Sequence, residues 1–256
     1  MTSTAIERAV RNVIQDMHTN LGQDLTIDDM ARTAMFSKFH FTRAFRDVTG
    51  TSPGRFLSAL RLQEAKRLLV DTGFSVADIS SQVGYSSVGT FSSRFKACVG
   101  VSPSMFRELG GFTPAIETDP AGDDISSSNT LRGRIALPEG RAPGNCFLGL
   151  FPAPVPQGQP VRCAVLDGPG SFELRDIPSG TWYVLVHSVP YGYEHLASGT
   201  GDEDVVSVGR YGPVTAHADT LLLPVEITLR PVESLDPPVL MALLDLRTNA
   251  RERHAA

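Results

Sequence analysis

The strongest constraint on this chain is a repeat. The segment Phe41-x-x-x-Phe45-x-x-x-x-Gly50-x-Ser52-Pro53-x-x-Phe56 returns fifty residues later as Phe91-x-x-x-Phe95-x-x-x-x-Gly100-x-Ser102-Pro103-x-x-Phe106. Self-similarity at a fixed spacing marks a duplicated supersecondary unit. Each copy is preceded by a matching helix start. Thr26 stands before Ile27-Asp28-Asp29-Met30-Ala31, and Ser75 before Val76-Ala77-Asp78-Ile79-Ser80. A hydroxyl three residues ahead of a carboxylate approximates a capping box, with Asp29 and Asp78 in place of the usual Glu. Ser52-Pro53 and Ser102-Pro103 are further starts, a capping hydroxyl followed by proline at the first helical position. Each copy thus reads as short helix, tight turn, second helix, glycine stop and a new helix, which describes a helix-turn-helix. Gly84 sits at the second turn, where positive φ is cheap. Met35 holds the corresponding place in the first copy, so that turn must differ or carry strain.

The second helix of the first copy, about Ser37 to Val48, has two faces. Phe41, Ala44, Phe45 and Val48 recur at core spacing. Phe39, Thr42, Arg43 and Arg46 form another stripe. In a major groove, Arg43 suits guanine O6/N7, Thr42 can hydrogen-bond, and Phe39 can pack on a thymine methyl. Lys38, His40 and Arg46, nearer the edge, suit phosphates, which fix register without reading sequence. The plainer reading puts Phe39 in the core and the cations on a solvated face. In the second copy, Ser87 to Cys98, the outward positions are Val88, Gly89, Ser92, Ser93 and Lys96, with Thr90 near the start. Short side chains make no bidentate base contact, so this copy should depend on backbone and shape. Arg94 falls at the margin of the core face, able to reach a phosphate or pair with an acidic neighbour. Between the copies, Pro53 to Val70 reads as a helix of roughly 25 Å. Such a strut suits two reading helices held about one duplex turn (~34 Å) apart. Arg61, Lys66 and Arg67 are expected on its solvent or phosphate side.

The rest of the chain is different material. Of 18 prolines, 16 lie beyond residue 110, and proline is expelled from helix interiors. Residues 1–110 carry 13 Lys+Arg against 10 Asp+Glu, a net +3; the remaining 10 and 18 give −8. From Leu131, apolar or alternating runs are broken by Pro and Gly: Leu131–Leu137, Cys146–Phe151, Val161–Leu166, Ser171–Arg175, Thr181–Ser188, Val205–Val208 and Leu221–Leu229. Seven such runs argue for an antiparallel β-sandwich, with Val239–Leu246 ambiguous between a last strand and a short helix. The expected order is multidomain, α then β: an all-α double helix-turn-helix over residues 1–110, a solvated linker over 111–130, a β-sandwich over 131–247 and a tail over 248–256. Three cysteines without C-x-x-C spacing suggest neither a disulfide framework nor a zinc knuckle. His187, His195, His217 and Asp219 show no ligand spacing within one element, so no metal, cofactor or enzymatic chemistry is expected. Tyr191, Tyr193 and His195, on the Gly-bearing loop Pro190–His195, are the candidate ligand wall. The acidic run Asp202–Asp204 reads as a solvated loop. No apolar run approaches the ~20 residues of a membrane span, and cytoplasm is the expected location.

The first half resembles the DNA-binding region of the AraC/XylS transcription regulators, from Ile6 to Leu109. The resemblance rests on Leu25-Thr26-Ile27-Asp28-Asp29-Met30-Ala31, Phe36-Ser37-Lys38-Phe39-His40-Phe41-x-Arg43-x-Phe45, Leu60-Arg61-Leu62-x-x-Ala65-x-x-Leu68-Leu69, Ile79-x-x-x-Val83-Gly84-Tyr85 and the two Gly-x-Ser-Pro stops. It implies promoter binding through Phe39, Thr42 and Arg43 in the first motif, and Val88, Gly89, Thr90, Ser92 and Ser93 in the second. The family's usual arginine directly after Phe-Ser is displaced here to Arg94, and Met35 replaces a turn glycine. Phe172, Leu174, Ile177-Pro178, Gly180, Tyr183 and Leu185 resemble the transthyretin-like or carboxypeptidase-regulatory sandwich, which implies a binding or interaction role. The expected function is a sequence-specific transcription regulator whose sandwich senses a ligand or mediates assembly. Double-stranded DNA is the main partner, with a small-molecule effector, a second copy of the chain and RNA polymerase as further ones. The rival reading is a protein-interaction adaptor whose helical unit does not bind DNA; a third is an enzyme with a regulatory helical cap.

Overall fold

The computed structural model describes residues 2–116, 129–193, 195–196, 205–217 and 221–244. Seven helices come first: α1 (Thr2–Thr19), α2 (Ile27–Thr33), α3 (Lys38–Thr49), α4 (Pro53–Asp71), α5 (Val76–Gln82), α6 (Val88–Val99) and α7 (Pro103–Glu108). Their ends are where the repeat puts them. Thr26 and Ser75 each close a full capping box with Asp29 and Asp78, and Gly50 and Gly100 end α3 and α6 in the left-handed conformation at φ 77° and 97°. The first unit packs Val13, Met17, Met30, Phe41, Phe45 and Phe56 together. The second repeats this with Leu62, Ile79, Phe91, Phe95 and Phe106.

Both inter-helix turns are the same device. Met35 N–H donates to Arg32 and Phe36 N–H to Ala31, just as Gly84 donates to Ser81 and Tyr85 to Ser80. This paired bonding is a Schellman motif, which needs a left-handed residue after the helix. Gly84 supplies it at φ 82°, and Met35 is forced into it at φ 58° with its side chain 89% exposed. The first copy therefore carries strain in an unchanged turn. The second copy has one residue more between this point and its next N-cap, Ser87 rather than Ser37.

The central helix α4 is not the solvated strut expected of it. Arg61 is half-buried and donates to the carbonyls of Leu21 and Gln23, at 2.9 and 2.6 Å. Lys66 is 1% exposed. Only Arg67 stays on the surface, paired with Glu64 and Asp71. The cause is that α4 packs against both helix-turn-helix units and, at Lys66, against Val239, while its Arg55, Arg67 and Asp71 stay exposed.

The second half forms two sheets, β1 (Asn129–Ala136), β2 (Gly144–Phe151), β3 (Arg162–Leu166), β4 (Ser171–Ile177), β5 (Gly180–Pro190), β6 (Ser207–Ala216), β7 (Val225–Thr228) and β8 (Arg230–Pro231). One sheet is ordered β4-β1-β7, the other β3-β2-β5-β6-β8. They pack face to face through Leu131, Ile135, Phe172 and Leu174 on one side and Leu148, Leu150, Val184 and Val186 on the other. The expectation of an antiparallel sandwich needs one correction: β1 and β7 are parallel, Gly133 to Ala136 opposite Val225 to Thr228. A Cβ at Gly133 would lie 2.4 Å from the Val225 carbonyl oxygen, so glycine permits this close pairing.

Every residue of β2 is buried. Its inner face meets the other sheet; its outer face, Phe147 and Phe151, packs with Phe112, Val189, Met241 and Leu243. Two expectations change here. Phe112, assigned to a solvated linker, is 2% exposed; residues 117–128 lie outside the described part. Residues 239–243 are neither ladder strand nor helix but an extended strap between the halves of the molecule. Val239, Met241 and Leu243 face the sheet cluster, while Leu240 and Ala242 enter the core of the second helical unit. Lys66 Nζ donates to Val239 O at 3.1 Å, Ala242 N–H to Val99 O at 2.9 Å, and Leu240 N–H to Pro156 O at 3.1 Å.

A left-handed non-glycine residue costs roughly 1–2 kcal/mol, of which glycine's extra unfolded freedom returns a part. Met35→Gly should therefore raise Tm by about 2–4 °C, the shift expected of roughly 1 kcal/mol in a chain this size. A thermal melt showing no rise would mean that the turn stores no strain.

Candidate nucleic-acid interface

In α3, Ser37 caps the start by accepting from His40 N–H, and the ring of His40 stacks at 4.5 Å on Phe36. This fixes the rotation of the helix. Phe41, Ala44 and Phe45 then point inward and are buried. Phe39 points out and is 82% exposed, which removes the reading that makes it a core residue. Arg43 is 74% exposed and lies 3.9 Å from Asp47, one turn on. Thr42 is half-buried and donates to Lys38 O at 2.9 Å, leaving its oxygen lone pairs as acceptors. Lys38 pairs with Asp28 at 2.9 Å, and Arg46 is exposed. Phe39, Thr42, Arg43 and Arg46 thus share one outward face of a helix whose opposite face is core.

Acidic groups flank this face. Arg43 borders a groove also lined by Glu7, Asp47 and Glu233, and Arg11 stands 3.7 Å from both Glu7 and Glu233. These carboxylates stand next to the cations of the α3 face.

On α6, Val88, Gly89, Thr90, Ser93 and Lys96 are exposed and Ser92 is half-buried. A Cβ on Gly89 would approach only the Ser87 hydroxyl, at 3.7 Å. This leaves the start of α6 an open, flat surface. Arg94 is exposed as well, has no acidic partner among the described residues, and its Nε donates to Ser58 on α4 at 3.4 Å. The carbonyls of Cys98 and Val99 at the far end of α6 accept from Gly158 and Ala242 of the β half. A helix leaves its last carbonyls without internal partners, so the β half caps this helix.

The three residues expected as a ligand wall lie at the end of β5. Tyr193 and His195 are exposed at the end of β5, their rings 6.3 Å apart, and Tyr191 is half-buried beside Gly168. None of the three borders the cavity on the outer face of the five-stranded sheet. That cavity, of ≈70 Å³, is walled by Gly149, Cys163, Leu185 and His187 of the sheet and roofed by Val239 and Met241 of the strap. Sequence reading set His187 aside because it sought metal spacing. The overlooked signal was a histidine on the same strand face as Leu185 and Val189, among apolar neighbours. Its Nδ1 is buried without a hydrogen-bond partner among the described residues. Burial, helped by the charge of Lys66, pushes its pKa down to about 4. Burial likewise pushes the Cys163 thiol up. Among the described residues no cluster of His, Cys, Asp or Glu could hold a metal ion, and no helix is long and apolar enough to cross a membrane.

Two helix-turn-helix units joined by one shared helix define the class of the first half, and comparison with known proteins supplies the family. Residues 30–109 match the helix-turn-helix domain family. The chain is 33% identical over 106 residues to the probable transcription factor PqrA of Proteus vulgaris, covering 41% of this chain and 87% of that protein. It is 36% identical over 88 residues to the transcriptional activator AarP of Providencia stuartii, 34% of this chain and 65% of that one. The right origin-binding protein of Escherichia coli K12 matches at 33% over 98 residues, 38% of this chain but only 34% of that protein. Among solved structures, an AraC-type regulator from Chromobacterium violaceum aligns with 40% of this chain and 93% of its own, at 28% identity and a TM-score of 0.38. The chain belongs to the AraC family and carries its helix-turn-helix DNA-binding domain.

The state of His187 has a measurable consequence. Between pH 6.5 and about 4 the unfolded chain binds a proton at this ring and the native chain does not. Stability must then fall as pH drops through that window, by at most ~3 kcal/mol, and the loss stops once the native ring also protonates. In His187→Phe this component vanishes. Urea midpoints at pH 7, 5.5 and 4.5 should diverge between wild type and variant; parallel midpoints would mean that the native ring is solvated.

Proposed function

We propose that the chain is a sequence-specific transcription regulator that reads two adjacent major-groove segments, α3 with base contacts and α6 mainly through shape. The observation that carries this reading is the exposed row Phe39, Thr42, Arg43 and Arg46 on a helix rigidly backed by core. In its groove, Arg43 pairs bidentately with guanine, Phe39 meets a thymine methyl, and Thr42 accepts at a base edge. Lys38, His40 and Arg46 take phosphates, as does Lys96 on α6. Val88, Gly89, Thr90, Ser92 and Ser93 offer α6 a close approach with little discrimination. Arg94, held toward α4, contributes position rather than readout.

In this reading the β half, of the transthyretin-like kind by its resemblance, modulates DNA binding by sensing a small-molecule effector or by assembly with a second copy. RNA polymerase is the downstream partner and the cytoplasm the site of action. The unequal charge of the halves, +3 against −8, implies a steep salt dependence, since phosphate neutralisation dominates affinity.

The test is a mobility-shift titration on duplexes selected by the full chain from a random pool. Arg43→Ala should weaken binding by about 1–3 kcal/mol and relax preference at one base pair. Arg46→Ala should weaken all sequences alike and reduce the salt slope by about 1. Wild type binding no duplex above background, or Arg43→Ala binding like wild type, defeats the reading and leaves the adaptor in its place.

A further inference from the structure

We propose that the cavity between the five-stranded sheet and the strap is the binding site for a small, flat, mostly apolar molecule carrying one hydroxyl-type group, and that its occupancy is felt at α6. The coupling half of this statement rests on the DNA-binding reading above; the binding half does not.

The outer sheet face contributes the floor of the cavity. Along β2 the outward positions alternate Phe147, Gly149, Phe151, and the absent side chain of Gly149 makes room for the Phe151 ring, which a Cβ there would meet at 2.5 Å. Gly149 pairs with Cys163 on β3 and Leu185 on β5, and these two side chains line the cavity beside it. Apolar walls with few polar groups are the usual composition of small-molecule sites.

The polar group that addresses the ligand is His187. A buried nitrogen without a partner costs about 1–3 kcal/mol, and such an atom in a native fold calls for an explanation. The ring is neutral, so one nitrogen donates and the other accepts, and a hydroxyl satisfies either. Two guanidinium groups also border the cavity: Arg210 is exposed, and Arg230 is held by Asp236 through two bonds of 2.6 Å, a pair that secures the turn from which the strap departs.

The roof makes the site consequential. Val239 and Met241 touch the cavity, while the alternate residues Leu240 and Ala242 lie in the core of the second helical unit. Val239 O takes the buried Lys66 ammonium of α4, and Ala242 N–H holds the last carbonyl of α6. A molecule pressing on one face of a five-residue strap bears on whatever the other face supports.

The experiment uses the full chain with p-cresol, and toluene as the probe lacking the hydroxyl. By calorimetry and thermal shift, p-cresol should bind saturably and tighter than toluene. His187→Phe should abolish that preference, and Cys163→Phe, which fills the floor, should abolish binding of both, each variant first shown folded by circular dichroism. On a selected duplex, saturating p-cresol should change wild-type affinity by about fivefold or more, the lower range of allosteric coupling. Lys66→Met, with Leu240→Ala as a second variant, should keep p-cresol binding and lose that change. No saturable binding, or equal binding by wild type and His187→Phe, overturns the site. Binding without effect on duplex affinity overturns the coupling. Absence of any duplex binding defeats the DNA-binding reading and leaves the calorimetric result standing.

Discussion

The arrangement of this molecule depends on five residues near its end. A chain in extended conformation sends successive side chains to opposite sides, and residues 239–243 use this to belong to two cores at once. Leu240 is fully buried among the helices and Met241 among the strands, each such burial contributing about 1.5–3 kcal/mol. The strap's backbone is cross-bonded as well, to Lys66 and Val99 on the helical side and to Pro156 and Thr113 on the other. A buried ammonium requires an acceptor, so Lys66 and the Val239 carbonyl need one another. Remove the strap and α4 loses an apolar cover and α6 loses a cap.

The duplicated units share one scaffold and differ in the surface they present. Their caps, stops and aromatic cores correspond almost residue for residue, because these are the parts that make a short helix stay in place. Phe45 on Phe56 and Phe95 on Phe106 repeat even the edge-to-face ring packing, at 5.5 and 5.6 Å. What differs is the outward face. The first unit exposes Phe39 and Arg43, large enough to reach base edges; the second exposes Val88, Gly89, Thr90 and Ser93, too short to do so.

What could be read from the sequence follows the range of the forces involved. Helix starts at Thr26 and Ser75, stops at Gly50 and Gly100, and the outward turn of Phe39 were legible because each is decided within one or two helical turns. Sheet membership was legible from alternation, but the parallel pairing of β1 with β7 was not, since nothing local distinguishes it. Arg61 and Lys66 were misplaced for a physical reason: a charged side chain normally signals solvent, and here each reaches a backbone carbonyl supplied from elsewhere in the chain. Phe112 was lost in a segment whose composition otherwise suits a linker. The cavity was invisible because the sheet residues that floor it and the strap residues that roof it, Leu185 and Met241 among them, lie far apart in the chain.

The two helical units are not equally free of the β half. The first touches it lightly, through the half-buried Leu235 beside its core and the exposed pair Arg11–Glu233. Exposed pairs of this kind contribute at most about 1 kcal/mol. The second is held by Leu240 and Ala242 in its core and by the bonds from Gly158 and Ala242 to the end of α6. Any displacement of the strap must therefore break hydrogen bonds at α6 before it disturbs α3. In the proposed reading α3 is thus mechanically insulated, and α6, whose short side chains depend most on the placement of its backbone, is the helix coupled to the sheets. On that reading a small shift there would change how closely α6 approaches a duplex while leaving α3 in place, which makes the second unit the sensitive point of the molecule.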